Sequence, residues 1–393
     1  MGNKNSILFV TNHLTIGGVQ KSLVTALNSI DYSKHDVTLY VRKKRLALLP
    51  YINENVKVII NDDQTKYYRK FSSVMQIIVA FLWGLVKNDK QAEERINTLE
   101  TAIKNQRMDY EKKHFFTHIK YDIAISYYSG YTAEFVLKNI QAKEKIVFYH
   151  SSTDEQHDLH ERLYPAFNKI VAVNSSVKDN LSKWYPHVAG KIAVIDNCIE
   201  YQEIRQKARE TTITKQPGIT MLCSCGRLAT VKGFNLAVEA ASILKKRQVQ
   251  LIWYFVGDGP ERRVIEKAIV NKGLEKHIII TGMLDNPYPY IKACDIYVQP
   301  SYEEAFGLTI TEAKILCRPV VSTSTVGARE QIVHRENGYL TDISSEGLAS
   351  GIMQLITDEA LRQKIVAFLR SVDYSQDYDA YKKQWAKLLA GQL

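Results

Sequence analysis

Cysteine is scarce and unpatterned in this 393-residue chain. The five copies, Cys198, Cys223, Cys225, Cys294 and Cys317, form no CxxC pair and no spaced partner pairs. That excludes a disulfide framework and a structural zinc site, and points to a reducing cytoplasm. A cleavable leader is missing as well: the apolar stretch 7–10 follows a polar hexapeptide and runs straight into a loop, so secretion is not expected. Met1, Gly2 and Ser6 satisfy an N-myristoylation pattern, but a buried strand starting at Ile7 would leave a lipid almost no tether, and the match is set aside as chance. No apolar run is long enough to span a bilayer. The longest, residues 74–86 (VMQIIVAFLWGLV), has 13 residues including a glutamine, against the ~20 that a spanning helix needs. A GxGxxG loop is also absent, so dinucleotide binding is not supported.

What is present is ordinary globular material. Hydrophobic residues make up 45% and charged residues 24%, which leaves ample apolar surface for two cores, and the length suits two domains. The net charge is +10. Residues 1–150 hold 22 Lys/Arg against 14 Asp/Glu, so +8 of that total is N-terminal. A basic excess favours an anionic partner without choosing among nucleic acid, membrane and phosphorylated substrate.

Short β-branched runs alternate with helical segments along the first half, with strands expected at 7–11, 36–41, 56–60, 122–126, 145–149, 169–173 and 192–195. Runs of four to six apolar residues are the signature of parallel strands buried on both faces, so βαβ units and a doubly wound sheet follow. Residues 63–118 interrupt this rhythm with one apolar and one highly charged helical stretch, an insertion. A second series starts near residue 218, with strands at 220–224, 251–256, 277–281, 295–299 and 319–323 and helices at 234–246 and 261–272. The tail 374–393 reads as a helix carrying Tyr378, Tyr381 and Trp385. Two doubly wound domains create ligand sites beyond the carboxyl ends of their strands.

The candidate chemistry lies in the loops at those ends. Gly17 and Gly18 open a helix after the first strand, where free backbone N–H groups and the helix dipole favour an anion. Gly226-Arg227 and Lys232-Gly233 follow the first strand of the second series, and place two cations five residues apart, suited to a pyrophosphate. Gly257-Asp258-Gly259 forms a tight turn after the next strand. Glu304 and Glu312, separated by seven residues, flank Phe306-Gly307-Leu308-Thr309, so one carboxylate precedes a helix and the other lies within its first turns. Carboxylates accept paired hydrogen bonds from vicinal diols, the recognition chemistry of ribose and hexose.

In this order the motifs resemble those of the retaining nucleotide-sugar glycosyltransferases of family 4. The resemblance runs from Gly17-Gly18 through Pro319-Val320-Val321 to Asn337-Gly338 and is densest in the C-terminal half. It implies the α/β GT-B fold: two Rossmann-like domains facing across a deep cleft, one of residues 1–199 with a C-terminal helix 374–393 crossing back to it, the other of residues 200–373. It implies transfer of a sugar from a nucleoside-diphosphate donor, UDP-sugar favoured, with retention, to a hydroxyl of a glycan or lipid-linked acceptor in bacterial cell-surface polysaccharide synthesis. By the same resemblance Arg227 and Lys232 bind the donor diphosphate, Glu312 the ribose, Glu304 the transferred sugar, and Gly18 the phosphate through its N–H. Gly17, Gly226, Phe306, Gly307, Leu308 and Thr309 complete the donor site, and His150 faces the sugar. No cofactor and no metal are expected, and no nucleic acid partner.

Two departures stand out. Cys317 occupies a helix cap usually glycine, where a left-handed conformation would cost a side-chain-bearing residue. Gly327-Ala328 replaces a glycine pair. His150, Asp154, His157, Asp158 and His160 are of metal-ligating type, but their spacing follows no ligand pattern. The rival function is a non-catalytic GT-B partner subunit or carbohydrate-binding protein, which should have lost Arg227, Lys232, Glu304 or Glu312; all four are present. The stretch 66–90, with Trp83 and basic flanks, reads either as an interfacial membrane element or as a buried helix. Together with Arg42-Lys43-Lys44-Arg45 it suggests peripheral contact with an anionic membrane at the inner face of the cell.

Overall fold

The computed structural model describes residues 4–61, 78–79 and 90–393. The lipidation pattern at Met1 and Gly2, and nearly all of the stretch 66–90, lie outside the described residues. Among the described residues no helix is long and apolar enough to cross a membrane.

Thirteen described strands form two sheets. The first contains β1 (Asn5–Thr11), β2 (His35–Val41), β3 (Lys57–Ile60), β4 (Lys120–Ser126), β5 (Gln141–Tyr149), β6 (Lys169–Ala172) and β7 (Ile192–Val194), in the order β3-β2-β1-β4-β5-β6-β7. The second contains β8 (Thr220–Cys225), β9 (Leu251–Val256), β10 (Ile278–Gly282), β11 (Ile296–Gln299), β12 (Val320–Thr323) and β13 (Tyr339–Thr341), in the order β10-β9-β8-β11-β12-β13. Each expected strand is present. Only β13, three residues long, carried no readable pattern. In both sheets the first strand sits inside and the order reverses beside it, which creates a topological switch point at β1/β4 and at β8/β11. Parallel pairing runs Thr220↔Leu251 to Cys225↔Val256 on one side of β8, and Ile296↔Leu222 on the other.

The chain divides into two compact units, one of Met1–Thr15, Asp31–Phe148 and Gln156–Ile170, the other of Ile16–Ile30, Tyr149–Glu155 and Val171–Leu393. The helices Gly18–Asn28 and Tyr374–Leu389 therefore fall in the second.

In the first unit, Ile7 to Val10 are wholly buried, as a strand covered on both faces must be. The basic run beside it needs a correction. Arg42 is not a surface cation: its side chain is 3% exposed, its Nε and Nη2 each lie 3.0 Å from Glu111 carboxylate oxygens, and its guanidinium sits 3.6 Å over the Tyr131 ring. A strand end buried against the charged helix Lys90–Glu111 converts the cation into a structural tie, so only Lys43, Lys44 and Arg45 are exposed. The expected insertion is thus anchored to the core at its end.

In the second unit strand alternation sorts the core onto two faces. Leu222, Trp253 and Phe255 pack with the helices Phe234–Lys246, Ser345–Thr357 and Glu359–Ser371. Met221, Cys223 and Cys225 pack on the other face with the helices Tyr288–Ala293 and Leu308–Ile315. The latter helix ends as its sequence suggests. Cys317 has φ 54°, its N–H bonds Lys314 O at 2.9 Å, and Arg318 N–H bonds Ala313 O at 2.9 Å, the paired bonds of a left-handed cap.

Candidate active site

Every site residue expected from the sequence lies in the second unit: Gly17 and Gly18 in Ile16–Ile30, His150 in Tyr149–Glu155, and the rest beyond Val171. The carboxyl ends of β8 and β11, at the switch point, supply the centre. Two glycines permit the approach. A Cβ on Gly257 would stand 1.9 Å from Gly226 O, and one on Gly233, at φ 64°, 1.9 Å from Pro300 O. The turn Thr230–Lys232 is thereby pressed onto the loop after β11, where Tyr302 N–H bonds Val231 O at 2.9 Å.

That approach joins two expected ligands. Lys232 Nζ lies 2.6 Å from Glu304 Oε2, the pair 28% and 13% exposed. Gln299 Nε2 and Ser301 Oγ each donate to the same oxygen at 3.3 Å. Gln299 is itself held, accepting from Tyr297 OH at 3.0 Å and Thr309 Oγ1 at 2.9 Å. Thr309 therefore acts through Gln299 in this structure. Arg227 stands apart: it is exposed and has no ion pair among the described residues, so its full donor fork faces solvent at the end of β8.

Glu312 is wholly buried, and its partner was not foreseen. Lys21 Nζ, one turn into the helix that Gly18 opens, sits 2.5 Å from Glu312 Oε1, and Tyr288 OH donates to that oxygen at 3.3 Å. Lys21 also bonds Tyr288 OH at 3.2 Å and lies 5.0 Å from its ring centroid. Burial pulls the Lys21 ammonium down, but the charge of Glu312, and then Tyr288, outweighs it and holds the group well above the usual lysine range. Burial pushes the Tyr288 phenol up. Glu312 Oε2, equally buried, meets no donor among the described residues. An unmet buried acceptor costs about 1–3 kcal/mol and fits a ligand that brings a hydroxyl. The sequence signal was available: a lysine three residues after Gly18 lies on the same helix face one turn on. Gly18 itself is close to the glutamate helix, since a Cβ there would be 3.6 Å from Leu308.

The loop between the two glutamates is clamped. Asn174 Nδ2 donates to Ala305 O at 2.6 Å, Gln331 Nε2 to Phe306 O, and Gly327 N–H to Glu304 O at 2.8 Å. A Cβ on Gly327 would meet the Phe306 backbone at 2.4 Å, so the glycine kept in Gly327-Ala328 is the one that matters. Gly307, at φ 88°, makes the turn into the helix. Asn174 and Gln331 carried no motif, because their role depends on chain segments more than 20 residues distant.

His150 follows β5, half-buried, in a segment that reaches the same loop through Thr153 Oγ1 and Glu303 Oε2 at 3.4 Å. Asp154, one of the residues of metal-ligating type, accepts from Tyr185 OH. Among the described residues no group of three His, Cys, Asp or Glu side chains could hold a metal ion.

Residues 205–371 match the family described as Glycosyl transferases group 1, which takes in Arg227, Lys232, Glu304 and Glu312. The whole chain superimposes on the crystal structure of Anabaena HepE in complex with UDP, with a TM-score of 0.69 at 18% identity over 98% of this chain and 100% of that one. The fold is GT-B. Among curated relatives, the lipopolysaccharide core biosynthesis glycosyltransferase LpsE of Rhizobium meliloti (strain 1021) is 32% identical over 146 residues, 37% of this chain and 42% of that protein. The 2-deoxystreptamine N-acetyl-D-glucosaminyltransferase of Niallia circulans is 25% identical over 232 residues, 58% of this chain and 54% of that one. The chain spans about half the length of the curated relatives it matches. Within the GT-B fold the matched segment carries the second sheet, β8 to β13.

Proposed function

We propose that the chain is a glycosyltransferase moving a sugar from a nucleoside-diphosphate donor, uridine diphosphate favoured, to a hydroxyl of a glycan or lipid-linked acceptor in cell-surface polysaccharide synthesis. One observation carries the reading: Lys232 and Glu304 are held together at the β8/β11 switch point, where the open cation Arg227 also follows β8, inside the segment that matches Glycosyl transferases group 1. The UDP-bound relative in fold and the lipopolysaccharide-core relative in sequence support donor and acceptor class.

In this reading the diphosphate competes with Glu304 for Lys232 and takes the Arg227 fork. Glu304, released, accepts from the sugar hydroxyls, and Glu312 Oε2 accepts from the ribose. The acceptor oxygen bonds the anomeric carbon on the face from which the diphosphate departs, and the departing phosphate oxygen takes the acceptor's proton. Retention follows, and preorganised cations replace a metal ion. His150 borders the sugar. Contact of the stretch 66–90 with an anionic membrane would bring a lipid-linked acceptor to the site.

A hydrolysis screen of UDP-, GDP-, ADP- and dTDP-sugars without acceptor tests the donor class, and one of the four should turn over in excess EDTA. Arg227→Ala or Lys232→Ala should lower that rate ~10² to 10³-fold, the cost of one preorganised contact to a developing anion. Near wild-type rates in both variants would overturn the assigned site.

A further inference from the structure

The amino ends of the second sheet's inner strands border a cavity that the transfer reaction does not use. Thr220 opens β8, Asp295 precedes β11, and Arg318-Pro319 precede β12, three neighbouring strands in parallel. Their amino ends, with the helix Glu359–Ser371, wall a cavity of about 540 Å³. At ~3.3 Å per residue, the six residues of β8 set it roughly 20 Å from Arg227 at the carboxyl end.

Three guanidinium groups line this cavity, Arg318, Arg362 and Arg370, against one carboxylate, Asp295. The carboxylate is already satisfied: Lys215 Nζ lies 2.5 Å from Oδ1, and Met221 N–H donates to Oδ2 at 2.8 Å. The cations are not. Arg318 spends Nε and Nη1 on Leu316 O at 3.1 Å and Cys294 O at 3.3 Å. Arg362 spends Nη1 on Leu355 O at 3.0 Å and Ile356 O at 3.3 Å, with Glu359 only at 3.7 Å. Those carbonyls fix two guanidinium planes while leaving most of each group's five donors unspent. Arg370, two helical turns on from Arg362 and so on the same face, is exposed and makes no hydrogen bond or ion pair among the described residues. Positioned forks with spare donors around a concave space are what binds phosphate oxygens.

We propose that this cavity is a second anion site, taking a small phosphate- or diphosphate-bearing molecule, separate from the donor site and independent of it. Its volume lies within the range of small-molecule pockets. Arg318 supplies a fixed fork, Arg362 a second, and Arg370 the mobile cation that closes on the ligand.

The test is titration calorimetry with inorganic pyrophosphate on the full chain carrying Arg227→Ala and Lys232→Ala, which silences the donor-side cations. Pyrophosphate should still bind. Adding Arg370→Gln, which removes no internal hydrogen bond, should weaken binding about tenfold with unchanged thermal melting, as loss of a charged contact predicts. Arg318→Lys, which keeps the charge and loses the fork, should weaken it as well. Absence of binding in the silenced background, or equal binding after both substitutions, overturns the site. Co-sedimentation with phosphatidylglycerol vesicles that Arg370→Gln abolishes, without pyrophosphate binding, would overturn the small-molecule ligand in favour of a lipid headgroup. A failed transferase reading leaves these outcomes untouched, because none depends on turnover.

Discussion

Each unit buries a carboxylate against a cation, Glu111 in the first and Glu312 in the second, and these two are finished differently. In the first, both oxygens of Glu111 are taken: Arg42 donates to each at 3.0 Å, and Arg107 Nε at 3.2 Å and Asn61 Nδ2 at 3.3 Å share Oε1. In the second, Glu312 receives Lys21 and Tyr288 on one oxygen, and nothing described on the other. A buried ion pair recovers its desolvation cost only when its remaining lone pairs are met. Glu111 satisfies that condition within the chain, as a structural tie does. Glu312 does not, and in the proposed function a ligand's hydroxyl would complete the network.

The contrast breaks most sharply at Arg42. Arg42→Met leaves Glu111 as a buried charge without its main partner, and should cost about 3–5 kcal/mol of stability in urea unfolding, with nucleotide affinity unchanged in the protein that stays folded. A loss below 1 kcal/mol would mean that Arg107 and Asn61 suffice.

Lys21→Met should shift binding as well as folding, because it too leaves a buried carboxylate without its main partner. If Lys21 positions Glu312, affinity for the free nucleoside diphosphate should fall by about 1.5–3 kcal/mol, the worth of a hydrogen bond to a charged group. The donor KM should rise more than kcat falls, and Lys21→Arg should recover most of the affinity. Equal losses in KM and kcat, unrelieved by arginine, would assign Lys21 to stability alone.

Cys317→Gly sharpens the same comparison from the helix that carries Glu312. Relieving a left-handed residue should raise stability by about 1 kcal/mol, seen as a higher Tm, and leave nucleotide affinity where it was. A drop in Tm would show that Cys317's packing outweighs its backbone cost.

The smallest effect belongs to a half-buried carboxylate of the first unit. Lys143, at 2.7 Å, and Ser6 hold the Asp122 carboxyl down to about 2. A depressed folded value gives stability that is present above the unfolded value near pH ~4, and is lost as pH falls through about 2. Asp122→Asn should flatten the stability curve across that window only, in acid titrations followed by circular dichroism. An identical acid profile would remove Asp122 from the acid response.

The amino-acid sequence by itself determined the strands, the doubly wound order and the ordering of the donor-side motifs. A strand buried on both faces must be apolar at every position, and a turn at a strand's end must spare its Cβ, so both leave local marks at Ile7 to Val10 and at Gly233 and Gly257. The same locality made the cap at Cys317 readable before its φ was known. Only the tertiary structure decided which charges meet. Lys21 reaches Glu312 across 291 positions and Arg42 reaches Glu111 across 69, and desolvation turned one expected surface cation into a buried tie and one helix lysine into the partner of a site carboxylate. Charge pairing is set by distance and dielectric, and neither exists until the chain has folded.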